Sequence, residues 1–405
     1  MISLLGALFV FAQLSLHDAQ TDALGASPDV AAARARVAEA QARYDEARAT
    51  LGPALVANYN QVPQAGPTNN SVVTQRLTTV GAQWTVGDLF AYVPAVAQAG
   101  AALRAAQQDL GDAERTERTA VIGAYYAALG ARATLHARDD ELATAQAQLR
   151  AAQIRFGAGD APRLDVVRAT VAVAAAQSDV ARAQADVENT GAALALETGV
   201  DSGSLETMAP ANLAAPPLGI GVPEAISRAL AARPDVAAAR ANIAAEEHAV
   251  GVARRSGWPL VTVSGGYTHG VDTGIPVSGA SATVDVSLPL TGAAHDRVAQ
   301  EEARLAQARA QLQKVERGVE LEVGTAVREY RAQSIALNAS QNALQSAQAE
   351  LQAAQIGYRS GATASLDLEA ARSAYVAALV TQISALYAQA RARAALSLLL
   401  GDAND

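Results

Sequence analysis

The sequence predicts a mainly helical fold with a membrane β-barrel part, built from a duplicated unit of helix, hairpin, long helix and return helix. Three observations carry this. The chain is written twice: Pro28-Asp29-Val30-Ala31-Ala32-Ala33-Arg34-Ala35 returns as Pro234-Asp235-Val236-Ala237-Ala238-Ala239-Arg240-Ala241, an offset of 206. Gly159, Leu164, Asp165 and Gly199 return as Gly361, Leu366, Asp367 and Gly401, an offset of 202. A repeat of this length is one fold used twice and must be read first. Second, aromatics are only 4% of the chain and alanine saturates long stretches. Alanine cannot fill a thick core, but it lets long helices approach closely. Third, the hydrophobic period switches from 3.6 to 2 at one place in each half, which separates helix from strand.

Each half opens with a helix, from about Leu16 to Leu51 with an interruption at Ser27-Pro28, and again from about Pro223 to Arg255. Gly52-Pro53 and Gly257, with Pro259 close behind, end them. In the second half Val261, Val263 and Tyr267 then alternate with Thr262, Ser264 and Thr268. After a Gly-rich loop from Gly270 to Gly279, Val284, Val286 and Leu288 alternate with Thr283, Asp285 and Ser287. This reads as a hairpin with one apolar and one polar face. The first half has its counterpart at about Ala54–Gln61 and Val72–Val86, with Val80, Ala82, Trp84 and Val86 apolar, joined by a turn-rich loop (Pro63, Gly66, Pro67, Asn69, Asn70).

A long helix follows, about Pro94–Phe156 and Ala293–Tyr358, the second of 66 residues or about 100 Å. Leu337, Leu344, Leu351 and Tyr358 are spaced by seven, as are Leu135, Leu142, Leu149 and Phe156. A repeat of seven imposes left-handed supercoiling. Tight turns at Gly157-Ala158-Gly159-Asp160 and Ser360-Gly361-Ala362-Thr363 lead into return helices from about Arg163 to Thr198 and Leu366 to Leu400. Opening and return helices of about 35 residues each, stacked end to end, match one long helix, which is how a uniform cylinder wall is built. The domains are therefore a candidate signal peptide (1–12), a first repeat (13–201), a Pro/Gly-rich linker (202–221) and a second repeat (222–405). The stretch from Met1 to Ala12 is too short to span a bilayer as a helix. It resembles a secretory h-region with a cleavage site at Val10-Phe11-Ala12, although it lacks a basic n-region. The alternative is a buried first helix. Leu16-His17-Asp18-Ala19 aligns with Val222-Pro223-Glu224-Ala225, so the duplicated unit begins only near residue 14.

Composition narrows function. The net charge is −9 with no basic cluster, which argues against nucleic acid. The chain has no cysteine, which excludes disulfides, thiolate metal sites and an acylated N-terminal Cys. His17, His136, His248, His269 and His295 are scattered without ligand spacing, so no metal or other cofactor is expected. No phosphate-binding loop, nucleophile elbow or Cys/His pair appears, so no enzyme is expected. Met208 is the one methionine beyond the candidate signal peptide, which argues against a thioether relay for copper or silver but leaves metal export by other ligands open.

Four alternating strands per chain cannot close alone. If their apolar face meets lipid, free strand edges are forbidden and the sheet must close into a barrel of at least about eight strands. Two chains would supply eight, three would supply twelve. The competing reading is a non-transport structural coiled coil or adhesin-like surface protein with a small β-cap. It needs no lipid-facing strands, and dependence of solubility on detergent separates the two.

The order of elements, Ser27-Pro28-Asp29-Val30-Ala31-Ala32-Ala33-Arg34, Arg233-Pro234-Asp235-Val236, Tyr358-Arg359-Ser360-Gly361-Ala362-Thr363 with Leu366-Asp367, and the closing Leu398-Leu399-Leu400-Gly401 resemble the TolC family of outer-membrane efflux proteins. The resemblance covers nearly all of residues 14–403. It implies a homotrimer with a twelve-stranded barrel in the outer membrane, continued by an α-helical barrel in the periplasm. It also implies an exit duct for substrates delivered by an inner-membrane pump through a periplasmic adaptor. One departure is that Trp84-Thr85-Val86-Gly87-Asp88-Leu89-Phe90 lacks the family's Pro-Leu-Phe, which Leu288-Pro289-Leu290 partly keeps.

The candidate sites follow from that frame. Val261, Val263, Val284 and Val286 are expected to face lipid, or else to pack a soluble sheet. The turns Gly157, Ala158, Gly159, Asp160 and Ser360, Gly361, Ala362, Thr363 are expected to dock the adaptor, or else their glycines only supply positive φ at helix ends. Asp165 and Asp367 stand six residues beyond Gly159 and Gly361, in the first turns of the return helices. A carboxylate there gains about 0.3–1 kcal/mol from the helix dipole. In a trimer each position also becomes a ring of three carboxylates, and acidic rings select cations. The resemblance points to Asp367 as the pore constriction, because the family's Leu-Asp segment lines its closed entrance. Ala370 stands where the family has a second aspartate.

Overall fold

The structure is a computed structural model that describes residues 14–49, 52–65, 72–85, 88–200, 213, 219–272, 275–288, 292–360 and 362–401. The candidate signal peptide, most of the linker, Val86 and Gly361 lie outside the described residues. The elements run α1 Leu16–Ala26, α2 Pro28–Ala49, β1 Ala54–Ala65, β2 Val72–Thr85, α3 Asp88–Ala158 and α4 Arg163–Thr198. They then repeat as α5 Val222–Ala232, α6 Pro234–Arg255, β3 Leu260–Asp272, β4 Ile275–Ser287, α7 Ala293–Ser360 and α8 Ser365–Leu399. Among the described residues no helix is long and apolar enough to cross a membrane.

Local chemistry sets the helix ends. Ser15 caps α1: its hydroxyl accepts the Asp18 N–H at 3.1 Å, and the Asp18 carboxylate accepts the Ser15 N–H in return. The Ser15 hydroxyl also donates to the Asp18 carboxylate at 2.7 Å, and this bond together with that from the Ser15 N–H holds the Asp18 carboxyl below its usual range. The opening helix breaks where Ser27 (ψ 122°) and Arg233 (ψ 130°) adopt extended backbone. Both precede proline, whose ring disfavours the helical region for the residue before it. The proline then starts the next helix at no cost, because the first N–H of a helix has no partner anyway. Each break is fastened to a long helix by a buried polar residue: the Ser27 hydroxyl donates to Glu117 at 2.7 Å, and Arg233 donates to Glu322.

The chain folds as two compact units, and both repeats contribute to each. Of the described residues, one comprises those up to Ala31, those within Asp112–Arg233 and those from Gly318 onward. Its core packs Ala19, Ala23, Val121, Tyr125, Ala128, Leu129 and Leu194. The core is thin and alanine-rich, as the composition requires. Tyr125 keeps its hydroxyl satisfied by donating to the Leu14 carbonyl at 3.1 Å. Burial, with smaller contributions from Tyr126, Asp18 and Tyr387, pushes its pKa to about 12. Each fully buried Val or Leu contributes about 1.5–3 kcal/mol. An exposed ion pair such as Arg43–Glu39 in the other unit contributes at most about 1 kcal/mol, so packing decides stability. The repeat is visible in the packing. Gly199 (φ 67°) lies 2.7 Å, measured from where a Cβ would stand, from the Ala26 methyl, and Gly401 (φ 84°) lies 2.9 Å from the Ala232 methyl. A side chain at either glycine would collide and would also disfavour the left-handed backbone.

The other unit, Ala32–Gly111 and Pro234–Arg317, holds the sheet. Its four strands run in the order β1-β2-β3-β4, all antiparallel. The central β2–β3 pairing, from Arg76↔Val271 to Thr85↔Thr262, joins the two repeats into one sheet. Helix α6 is laced to the start of α7 by Arg240–Glu316, Arg254–Glu302 and Arg309–Glu247.

Three sequence expectations need correction. Pro63 is not in the connecting loop but inside β1, paired with Thr74. The stretch from Gly270 to Gly279 is not a loop: β3 continues to Asp272 and β4 begins at Ile275. Gly, Ser and Ala carry little strand propensity. The ladder nevertheless supplies the backbone bonds, and close approach favours small residues: a Cβ at Gly270 would strike the Arg76 carbonyl. The first long helix begins at Asp88 rather than Pro94, so Pro94 lies inside α3. Proline signals the first turn because it lacks an N–H; here it occupies the second turn of an already started helix.

Candidate functional site

The sheet sorts its side chains by face. Val263 pairs Val284, Val261 pairs Val286 and Trp84 pairs Val263, so these residues share one face with Ala82, Val80, Tyr267 and, on β1, Leu55, Ala57 and Tyr59. Leu55 is 90% exposed, Val284 65% and Val286 59%. So continuous an exposed apolar surface marks a face for a partner or a membrane. The opposite face is polar and tied by side-chain hydrogen bonds: Thr79–Thr268 at 2.9 Å, Ser264–Thr283 at 2.6 Å and Gln75–Asp272 at 3.0 Å. Neither the outer edge of β1 nor that of β4 pairs with another strand of the described residues.

The helix turns repeat one hydrogen bond. The Asp160 N–H reaches the Arg155 carbonyl at 2.8 Å, and the equivalent Ala362 N–H reaches the Gly357 carbonyl at 2.8 Å. This bond, from the second residue past a helix back over its last turn, closes a helix that ends in a left-handed residue. In the first turn that residue is Gly159, φ 85°. Gly157, Ala158, Gly159, Asp160, Ser360 and Ala362 are exposed, and Thr363 is half-buried.

Within their unit the two helix hairpins, α3–α4 and α7–α8, meet beside these turns. Arg155 donates to the Tyr358 hydroxyl at 2.9 Å and lies 5.3 Å from its ring centre. Ser365 donates to Asp165 at 3.2 Å and accepts from Arg168 at 3.4 Å. Between the hairpins lies a cavity of about 380 Å³ lined in part by Gln148, Arg155, Asp165, Tyr358, Glu369 and Arg372. The two aspartates that the repeat makes equivalent are thus used differently. Asp165 is half-buried, on the cavity, and bonded to the other hairpin. Asp367 is exposed and makes no hydrogen bond or ion pair among the described residues. Of the joining residues, the sequence marks Tyr358 only as a heptad and turn position and does not single out Arg155, Arg168 or Ser365. Their signal lies in departures from the repeat: Arg155 stands where the second half has Gly357, and Ser365 where the first has Arg163.

Known proteins place this geometry. The chain is 32% identical over 250 residues to protein CyaE of Bordetella pertussis, across 60% of this chain and 52% of that one, so it spans about half the length of this curated relative. Its fold matches the outer-membrane channel OprN at TM-score 0.80 and 24% identity, over 96% of this chain and 90% of that one. It matches CusC, described as forming a transmembrane channel, at TM-score 0.81 and 19% identity, over 96% and 92%. The outer membrane efflux protein family model matches both halves, residues 20–200 and 225–402, and the chain belongs to that family.

Proposed function

We propose that three copies of this outer-membrane efflux protein close one twelve-stranded barrel, β4 of each chain pairing with β1 of the next. The helices continue the barrel into the periplasm as a duct. A periplasmic adaptor and an inner-membrane pump deliver substrate to it. The carrying observation is the sheet itself: an uncovered apolar face and two edges that pair with no other strand of the described residues. Edges in contact with lipid are forbidden, since each unsatisfied backbone group there costs several kcal/mol. Closure by identical neighbours satisfies both edges at once. Protein extracted from membranes by detergent is expected to have the mass of three chains; a water-soluble monomer in the membrane-free fraction contradicts the reading.

In this duct the exposed turns dock the adaptor. Small residues at Ala158 and Ala362 leave the backbone within reach of a partner helix. Ala158→Trp with Ala362→Trp is expected to abolish adaptor co-purification and export while trimer yield is retained. Intact assembly in that variant confines the glycines to their helix-ending role. Asp367, exposed and without a partner among the described residues, forms the constriction ring, and Asp165 serves chiefly to hold the two hairpins together.

A further inference from the structure

The cavity between the hairpins carries chemistry that neither the repeat nor the duct requires. Three guanidinium side chains line it, Arg155, Arg359 and Arg372, against two carboxylates, Asp165 and Glu369. Asp165 already accepts from Ser365, and Arg155 already donates to Tyr358. Arg359 directs its Nε to the Gln355 carbonyl at 3.3 Å. Arg372 is different. It is half-buried on the cavity wall and makes no hydrogen bond or ion pair among the described residues. Glu369, one turn before it on α8, forms no ion pair with it. Burial of a guanidinium, which stays charged at physiological pH, is unfavourable unless its donors are used.

We propose that this cavity binds a small oxyanion, held by Arg372 and oriented by Arg155, Tyr358 and the amides of Gln148 and Gln355. The planar fork of Arg372 suits two oxygens of one anion. Tyr358 accepts from Arg155, so its own proton is free to donate. The volume, about 380 Å³, exceeds what a phosphate-sized ion with several waters needs. Burial pulls the Arg372 pKa down while Glu369 and Tyr358 oppose the change, which fits a cation whose surroundings leave room for further negative charge. The lining is not inherited from the duplication: Arg372, Glu369 and Arg155 stand where the other repeat has Thr170, Val167 and Gly357. An anion seated here touches α3 and α8 together and ties one hairpin to the other.

The test is calorimetric titration of inorganic phosphate into the detergent-extracted full-length protein, with ionic strength held constant by sodium chloride. Saturable binding near one phosphate per chain is expected. Arg372→Gln should weaken it at least about tenfold, the size of a charge-assisted hydrogen bond. Arg372→Lys keeps the charge but not the fork, disturbs folding least, and should lose about threefold. Arg391→Gln, an exposed site on α8 outside the cavity, should leave binding unchanged. The proposal is overturned if the natural protein shows no saturable phosphate binding. It is equally overturned if folded Arg372→Lys and Arg372→Gln bind as well as the natural protein, or if Arg391→Gln weakens binding as much as they do.

Discussion

Arginine placed on the apolar face of β4 is expected to block membrane folding in a depth-dependent series. Ala282→Arg should cost most, up to about 2–4 kcal/mol, Val284→Arg less, and Val286→Arg least, because the penalty falls toward about 0–1 kcal/mol near the interfaces. The register supports the order: Ala282 pairs Gly265 near the middle of the hairpin, whereas Val286 pairs Val261 at its helix end. Thr283→Arg points to the opposite, polar face and should cost under about 1 kcal/mol. The readout is the fraction folded into lipid vesicles. Equal loss from Thr283→Arg and Val284→Arg would place both faces in one medium and favour a soluble sheet.

Asp367→Asn is expected to remove most of the cation selectivity of the open duct and most of its block by multivalent cations. In the proposed trimer symmetry would bring three exposed carboxylates together, and none of them makes an ion pair among the described residues, so the ring would attract cations strongly. Asp165→Asn should do less, since Asp165 is already engaged by Ser365 at 3.2 Å. Single-channel recordings of folded trimers decide this. Unchanged selectivity and unchanged cation block in Asp367→Asn would reduce the residue to a helix-start carboxylate, worth about 0.3–1 kcal/mol.

These expectations rest unequally on the sequence. The helices were legible because a repeat doubles every signal: proline after an extended residue at Ser27 and Arg233, glycine after α4 and α8, heptads along α3 and α7. The apolar face of the sheet was legible from alternation at Val261, Val263, Val284 and Val286. The extension of the strands through Gly270 to Asp272 and from Ile275 onward was not. Glycine weakens a strand by propensity, and only the close β2–β3 approach, a tertiary fact, explains its use there. The site was legible as positions and not as relations. Sequence symmetry equates Asp165 with Asp367; the fold separates them because Ser365 reaches one and no counterpart reaches the other. The Arg155–Tyr358 contact and the Arg372 cavity join residues about 200 positions apart, and no local pattern announces them.

The central claim is that β4 of one chain pairs with β1 of the next, and cysteine cross-linking tests it most directly. The chain has no native cysteine, so introduced thiols react only with one another. Leu55→Cys is combined in turn with Ala282→Cys, Val284→Cys and Val286→Cys, which lie on the same face. Within one chain β1 and β4 are three strand spacings apart, about 14 Å. A disulfide needs Cα atoms within about 7 Å, so it can form only between chains. At least one pair is expected to oxidise to covalent dimers and trimers that a reductant returns to single chains. If all three pairs leave only single chains on a denaturing gel, while the extracted protein is folded and inserted, the strands do not close a shared barrel.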